Sequence, residues 1–328
     1  MKRENLVFGD SNFTDVDAGI SLGNEYDDVN SGSWWRDTAH KIKQDHPDLQ
    51  HRSIIWPLIF FIDGVAHGDF TNLSQEPVLM TFSSFKRSTR NKPQAWRPLA
   101  YYLAINEYHE VLSAIFSTLS GIQRTGMNWT LTFPGEEPKD VTMFFPIQFI
   151  IGDCEGHDKL CGRFSSHNNT PGLVRDCDVS TNQGDDPYHD CHFYTTDEMQ
   201  GYTEEELNAR SFHHIFHPWH NNLDFGASTQ GIFGACLPEK THCVDLGTTK
   251  EVGDQFPAGL SAASQKRTDD VLSYMILHTR CPPSLQFPIV SPYRGGLEKV
   301  RKLKAYERIG KIFALYCALM SSYYVEFL

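Results

Sequence analysis

Two stretches of one design constrain this chain most. Pro57-Leu58-Ile59-Phe60-Phe61-Ile62-Asp63 runs five apolar residues straight into a carboxylate, and Pro146-Ile147-Gln148-Phe149-Ile150-Ile151-Gly152-Asp153 repeats the shape. Continuous runs of β-branched and aromatic residues read as strands buried on both faces. Each ends in Asp where the chain leaves the sheet. Open α/β sheets bind ligands beyond the carboxyl ends of their strands. If the two strands are parallel neighbours, Asp63 and Asp153 sit together at that edge. Two close carboxylates repel unless a proton or cation lies between them, and an oxygen-rich pair suits Mg²⁺. A strand-ending Asp also simply starts a turn. On these strings alone both readings stand.

The order of elements follows from the pattern. Residues 1–30 are polar and aperiodic and read as a flexible lead-in. Ser31–His46 reads as a short helix carrying Trp34 and Trp35. After the first strand come a second over Val78–Phe82, a polar turn over Lys86–Pro93, and a third strand over Trp96–Ile105. Strands joined by turns alone form an antiparallel meander. A helix follows, N-capped by Asn106 and stopped by Gly126. Tyr108, Val111, Leu112, Ile115, Phe116 and Leu119 share its apolar face. Val141–Ile151 reads as the fourth strand, brought parallel to an earlier one by a right-handed crossover.

This β-β-β-α-β order is the opening of a ribonuclease-H-like fold, an α/β architecture on a mixed sheet. The expected boundaries are a first part over residues 31–153, a His/Cys-rich, helical and loop insertion over 154–292, and a completing helix over 293–328. The insertion is too long to be a structureless loop. Glu307 lies on the last helix, with Lys304 and Lys311 on the same face. These three are either an ordinary ion-pair trio or a metal ligand flanked by phosphate-binding lysines.

The residues resemble the catalytic region of Plavaka-type transposases, of the CACTA (En/Spm) superfamily. The likeness rests on Ile59–Asp63, Glu76-Pro77-Val78, Arg90-Asn91-x-Pro93-x-Ala95-Trp96-Arg97 and Ile147–Asp153. It extends to Gly162–His167 followed by Cys177, to Gly231–Cys236 with Glu239 and His242, and to Lys302-Leu303-Lys304-Ala305-x-Glu307-Arg308. The resemblance implies Asp63, Asp153 and Glu307 as a catalytic, metal-binding triad using Mg²⁺ or Mn²⁺. Substrate positioning by Glu239, His242, Lys304, Arg308 and Lys311 goes with it, though Glu239 and His242 equally read as caps of the insertion helix. The chemistry it implies is DNA strand cleavage and transfer, where two divalent ions activate the attacking oxygen and stabilise the leaving one. The partners it implies are transposon ends and target DNA, with self-association, in the nucleus. Lys86, Arg87, Arg90 and Lys92 are further candidates for DNA-backbone contact.

Other features limit or widen this reading. The net charge of −12 argues against a dedicated nucleic-acid-binding module but not against an enzyme with a local basic surface. The family's Cys-x-x-Cys reads Val174-Arg175-Asp176-Cys177 here, one thiol short. A structural Zn²⁺ wants four ligands, and Cys161, His167, Cys177, Cys191 and His192 are the candidates; ordinary buried thiols and surface imidazoles are the alternative. The run around His213 and His217 reads as scaffold, since Pro218 interrupts any helix there. Ile312–Leu328 is apolar but short of the roughly 20 residues a membrane span needs. The chain stops soon after Glu307 and starts without a recognisable DNA-binding module, so a truncated or decayed copy is one expectation. A non-catalytic, transposon-derived binding protein and a zinc-stabilised structural protein are the competing functions.

Overall fold

The prolines that open both apolar runs also break them. β1 (Ser53–Ile55) gives way to β2 (Leu58–Ile62) at Trp56-Pro57. Much later, β7 (Lys139–Phe144) gives way to β8 (Ile147–Ile151) at Phe145-Pro146. Proline has no N–H to give a ladder, so each run changes sheet there. The breaks are level: the Trp56 N–H donates to the Phe144 carbonyl at 2.7 Å, and the Leu58 N–H to the Pro146 carbonyl at 2.9 Å. β1 pairs in parallel with β7, and β2 in parallel with β8. The fourth strand expected over Val141–Ile151 is therefore two strands, one in each sheet.

The computed structural model describes residues 2–8, 20, 28–49, 52–66, 74–103, 108–164, 172, 175–180, 182–183, 190–213, 218–237 and 261–278. The chain divides into two compact units, Met1–Leu237 and Pro238–Leu328. The architecture is mixed α/β. In the first unit β4 (Ser74–Phe82) lies antiparallel to β2, and to β3 (Val65–Ala66) and β5 (Arg97–Leu103). With β8 beside β2, these make the five-stranded sheet. The smaller sheet has the order β1-β7-β6, where β6 (Met127–Leu131) is antiparallel to β7.

Helices pack against both sheets: Ala39 and Ile42 meet Ile55 and Phe144 of the smaller one, and Phe116 meets Phe60 of the larger. α1 (Ser33–Asp45) buries Trp35, Ala39 and Ile42. The polar turn expected over Lys86–Pro93 contains a single helical turn, α2 (Arg87–Arg90). α3 (Tyr108–Thr125) buries Tyr108, Leu112 and Phe116, as its apolar stripe predicts; Asn106 lies outside the described residues. Phe116 meets Phe60 edge-on, with ring centroids 5.1 Å apart. Gly126 ends the helix at φ +72°, where a side chain would also strike Thr142 at 2.6 Å.

Two expectations change. Within the stretch read as a lead-in, residues 2–8 are docked: Leu6 and Phe8 are buried, and the Val7 N–H donates to the Ser84 carbonyl at 2.8 Å. Their apolar side chains find a cleft in the core that no local pattern announces. The described residues between 154 and 237, in the first part of the expected insertion, are short helices and loops on the same core. They include α4 (Cys154–Leu160), α5 (Thr196–Gly201), α6 (Glu204–Ala209), α7 (Pro218–Asn222) and α8 (Ile232–Ala235). Leu160, Met199, Phe212, Trp219 and Phe233 join the hydrophobic cluster that holds Phe60 and Ile150.

In the second unit the described residues form α9 (Ala262–His278), N-capped by the Ser261 hydroxyl on the Ser264 N–H at 3.2 Å. Among the described residues no helix is long and apolar enough to cross a membrane.

Candidate functional site

The parallel register sets Phe61 beside Ile151. Two residues further along each strand, Asp63 and Asp153 leave the sheet at one level. Within the strands, Phe61 and Ile151 point to the face opposite Phe60, Ile62 and Ile150. That face is the more open one: Ile151 is exposed, whereas Phe60, Ile62 and Ile150 are buried.

Two glycines let the carboxylates converge. A Cβ on Gly152 would stand 2.6 Å from the Ile62 carbonyl oxygen, so only glycine lets the end of β8 lie this close to β2. Asp153 then N-caps α4, its Oδ1 accepting from the Gly156 N–H at 2.6 Å. The point a Cβ would occupy on Gly156 is 3.2 Å from Asp153 Oδ1 and 3.9 Å from Asp63 Oδ1. One oxygen of each half-buried carboxylate thus comes within 4 Å of a single point.

α4 is anchored from several sides. His157 Nε2 lies 2.9 Å from the Ile150 carbonyl. Lys159 donates to Glu76 Oε1 at 2.6 Å and sits 4.0 Å over the Tyr108 ring. Tyr102 donates to the other Glu76 oxygen at 2.7 Å. Burial, with the Glu76 carboxylate beside it, pushes the Tyr102 hydroxyl far up, so it stays a donor. On the opposite side Asp158, 2% exposed, accepts from Arg163 at 2.9 Å and Arg175 at 3.3 Å. Arg175 also reaches Asp176 at 2.9 Å and the Cys236 carbonyl at 2.8 Å. Burial raises the Asp176 carboxyl, and Arg175 offsets part of that rise. A buried charge cluster of this kind is costly to disturb, so it holds the helix, and Asp153 with it, in one place. Neither this cluster nor the Glu76–Lys159 pair was found from sequence. Glu76, Arg163, Arg175 and Asp176 fall within quoted motifs, but no motif pairs them with Asp158 or Lys159.

The other expected site residues divide. Glu307, Lys304, Arg308, Lys311, Glu239, His242 and His167 lie outside the described residues. Of the zinc candidates, Cys177 and Cys191 come together, their thiols hydrogen-bonded. The adjacent His192 directs its ring to Glu198, at 2.9 and 3.0 Å. Cys161 has a different partner, the buried thiol of Cys236. Among the described residues no three His, Cys, Asp or Glu side chains gather as a metal site. His220 is buried against Trp219 and bonds the Leu160 carbonyl at 3.1 Å, a scaffold role.

One candidate DNA contact is corrected. Arg90 is largely buried; it donates to the Ser83 carbonyl at 2.7 Å, to the Phe85 carbonyl and to Asp28. Its guanidinium closes a turn and does not face solvent. Lys86, Arg87 and Lys92 are exposed.

No known family model and no curated protein matches this chain. Two hard carboxylate oxygens converging at a sheet edge fit Mg²⁺ or Mn²⁺, which accept few protein oxygens and keep several waters.

Proposed function

We propose that this chain is a ribonuclease-H-like catalytic domain of transposase type that cleaves and joins DNA strands with divalent metal. The observation that carries this reading is the convergence of Asp63 and Asp153 at the ends of adjacent parallel strands. The antiparallel β2-β4-β5 meander, the crossover through α3 and the return as β8 support the fold assignment. The motif resemblance supports the substrate.

In this reading Asp63 and Asp153 hold the cation; Glu307, which the motif resemblance implies as a third acid, lies outside the described residues. A bound divalent ion would supply charge stabilisation at the phosphate and a more acidic water. The protein's part is to keep the donors fixed. Asp153 is aligned by its cap bond to Gly156 and by the anchoring of α4, and Asp63 by the ladder of β2. Exposed Lys86, Arg87 and Lys92 are available for phosphate contact, which would weaken as salt rises.

Supercoiled plasmid incubated with the full chain and Mg²⁺ or Mn²⁺ tests the reading. Nicking that requires metal and falls to background in Asp63→Asn and Asp153→Asn is expected. Metal-replete, folded protein that leaves the plasmid intact, or variants that cut as well as wild type, would overturn it.

A further inference from the structure

Cys177 and Cys191 sit on two short segments that pair antiparallel. Cys177 bridges to Phe193; the Asp178 N–H donates to the His192 carbonyl at 3.1 Å and the Tyr194 N–H to the Asp176 carbonyl at 2.9 Å. Cys191 is two residues from Phe193, so its side chain emerges on the face that Cys177 shares. The thiols meet there, as their hydrogen bond records. His192 emerges on the opposite face and is held by Glu198. The pair therefore has each other for company, without the third and fourth ligands a structural Zn²⁺ takes among the described residues.

We propose that Cys177 and Cys191 are a reversible thiol–disulfide site that ties residues 175–180 to residues 190–194 under oxidising conditions. Their exposures set the order of events. Cys177 is 5% exposed, while Cys191 is half-buried and reachable. A low-molecular-weight disulfide supplies the oxidising equivalents. The Cys191 thiolate attacks one of its sulfurs and expels a thiolate, leaving a mixed disulfide. The Cys177 thiolate then attacks the Cys191 sulfur and expels the second thiolate. Two protein thiols are oxidised, one small disulfide is reduced to two thiols, and the two protons end on those thiols. The second thiol pair is an internal contrast: Cys161 and Cys236 also touch, but at 2% and 0% exposure no small disulfide can reach either.

The test is peptide mapping of the full chain, chelator-treated, equilibrated in glutathione buffers of graded ratio, acid-quenched and alkylated. The expected result is a Cys177–Cys191 linked peptide, with Cys161 and Cys236 unmodified in folded protein. Cys177→Ser should accumulate glutathione on Cys191, because the resolving thiol is gone; Cys191→Ser should leave Cys177 unmodified. Failure of the linked peptide to form at any ratio would overturn the proposal, as would no glutathione on Cys191 in Cys177→Ser. So would tight uptake of one Zn²⁺ per chain by reduced protein that Cys177→Ser abolishes.

Discussion

Asp153 has two roles that substitution can separate. Its Oδ1 caps α4 through the Gly156 N–H, and its charge faces Asp63. Asparagine caps as well as aspartate, whereas alanine does not. Asp153→Ala should cost about 1 kcal/mol of stability, while Asp153→Asn should be close to neutral in urea melts and yet lose metal-dependent activity. Asp28 shows a carboxylate used for structure alone. Burial raises its pKa, but the Arg90 hydrogen bond and the Val29 and Arg87 N–H groups outweigh this, so the carboxyl lies below its ordinary value. A depressed pKa means stability that is present above the unfolded value and lost as pH falls through the folded one. Asp28→Asn should therefore cost about 2 kcal/mol at neutral pH, because it leaves Arg90 without its counter-charge. Thermal melts of the two proteins should draw together as pH falls below the ordinary Asp value of 3.8 and converge only below the depressed folded value. At this scale the sequence was partly legible. Asp63 and Asp153 stood out because a carboxylate ending an apolar run is chemically abrupt. Arg90 was misread as a DNA contact because its partner Asp28 is distant in sequence.

The central element is the parallel β2–β8 pair. Both strands were legible as apolar runs, and so was α3, whose stripe repeats at helical period. Less legible was the shared break at Pro57 and Pro146, which moves β1 and β7 into a second sheet. One proline reads as a strand start; that two prolines lie level is a fact of pairing. β6 was missed because Asn128, Trp129 and Thr130 are all exposed and leave no alternation. The closeness of the strand ends depends on Gly152. In Gly152→Ala the new methyl would meet the Ile62 carbonyl at 2.6 Å, a contact that backbone must relieve by moving. Chemical denaturation should show a loss of about 2 kcal/mol, and the shift of β8 should separate the two carboxylates.

At the scale of the molecule, the first unit gathers both sheets on one hydrophobic cluster, and the ends of β2 and β8 carry the acids. Apolar side chains from residues 2–8 and from the described residues between 154 and 237 join that cluster. Those segments have no strong period and were read as a lead-in and an insertion, because their burial depends on partners far away in sequence. The net charge of −12 favours a cation where two carboxylates meet, and it is DNA phosphate that it opposes away from the exposed lysines and arginine. The central claim is that Asp63 and Asp153 together bind a divalent metal ion. Mn²⁺ titration of the full chain, followed by the electron paramagnetic resonance of free Mn²⁺, tests it most directly. The account predicts saturable binding by wild type that is lost in the Asp63→Asn, Asp153→Asn double variant while its circular dichroism is unchanged. Equal Mn²⁺ uptake by the two proteins would contradict it.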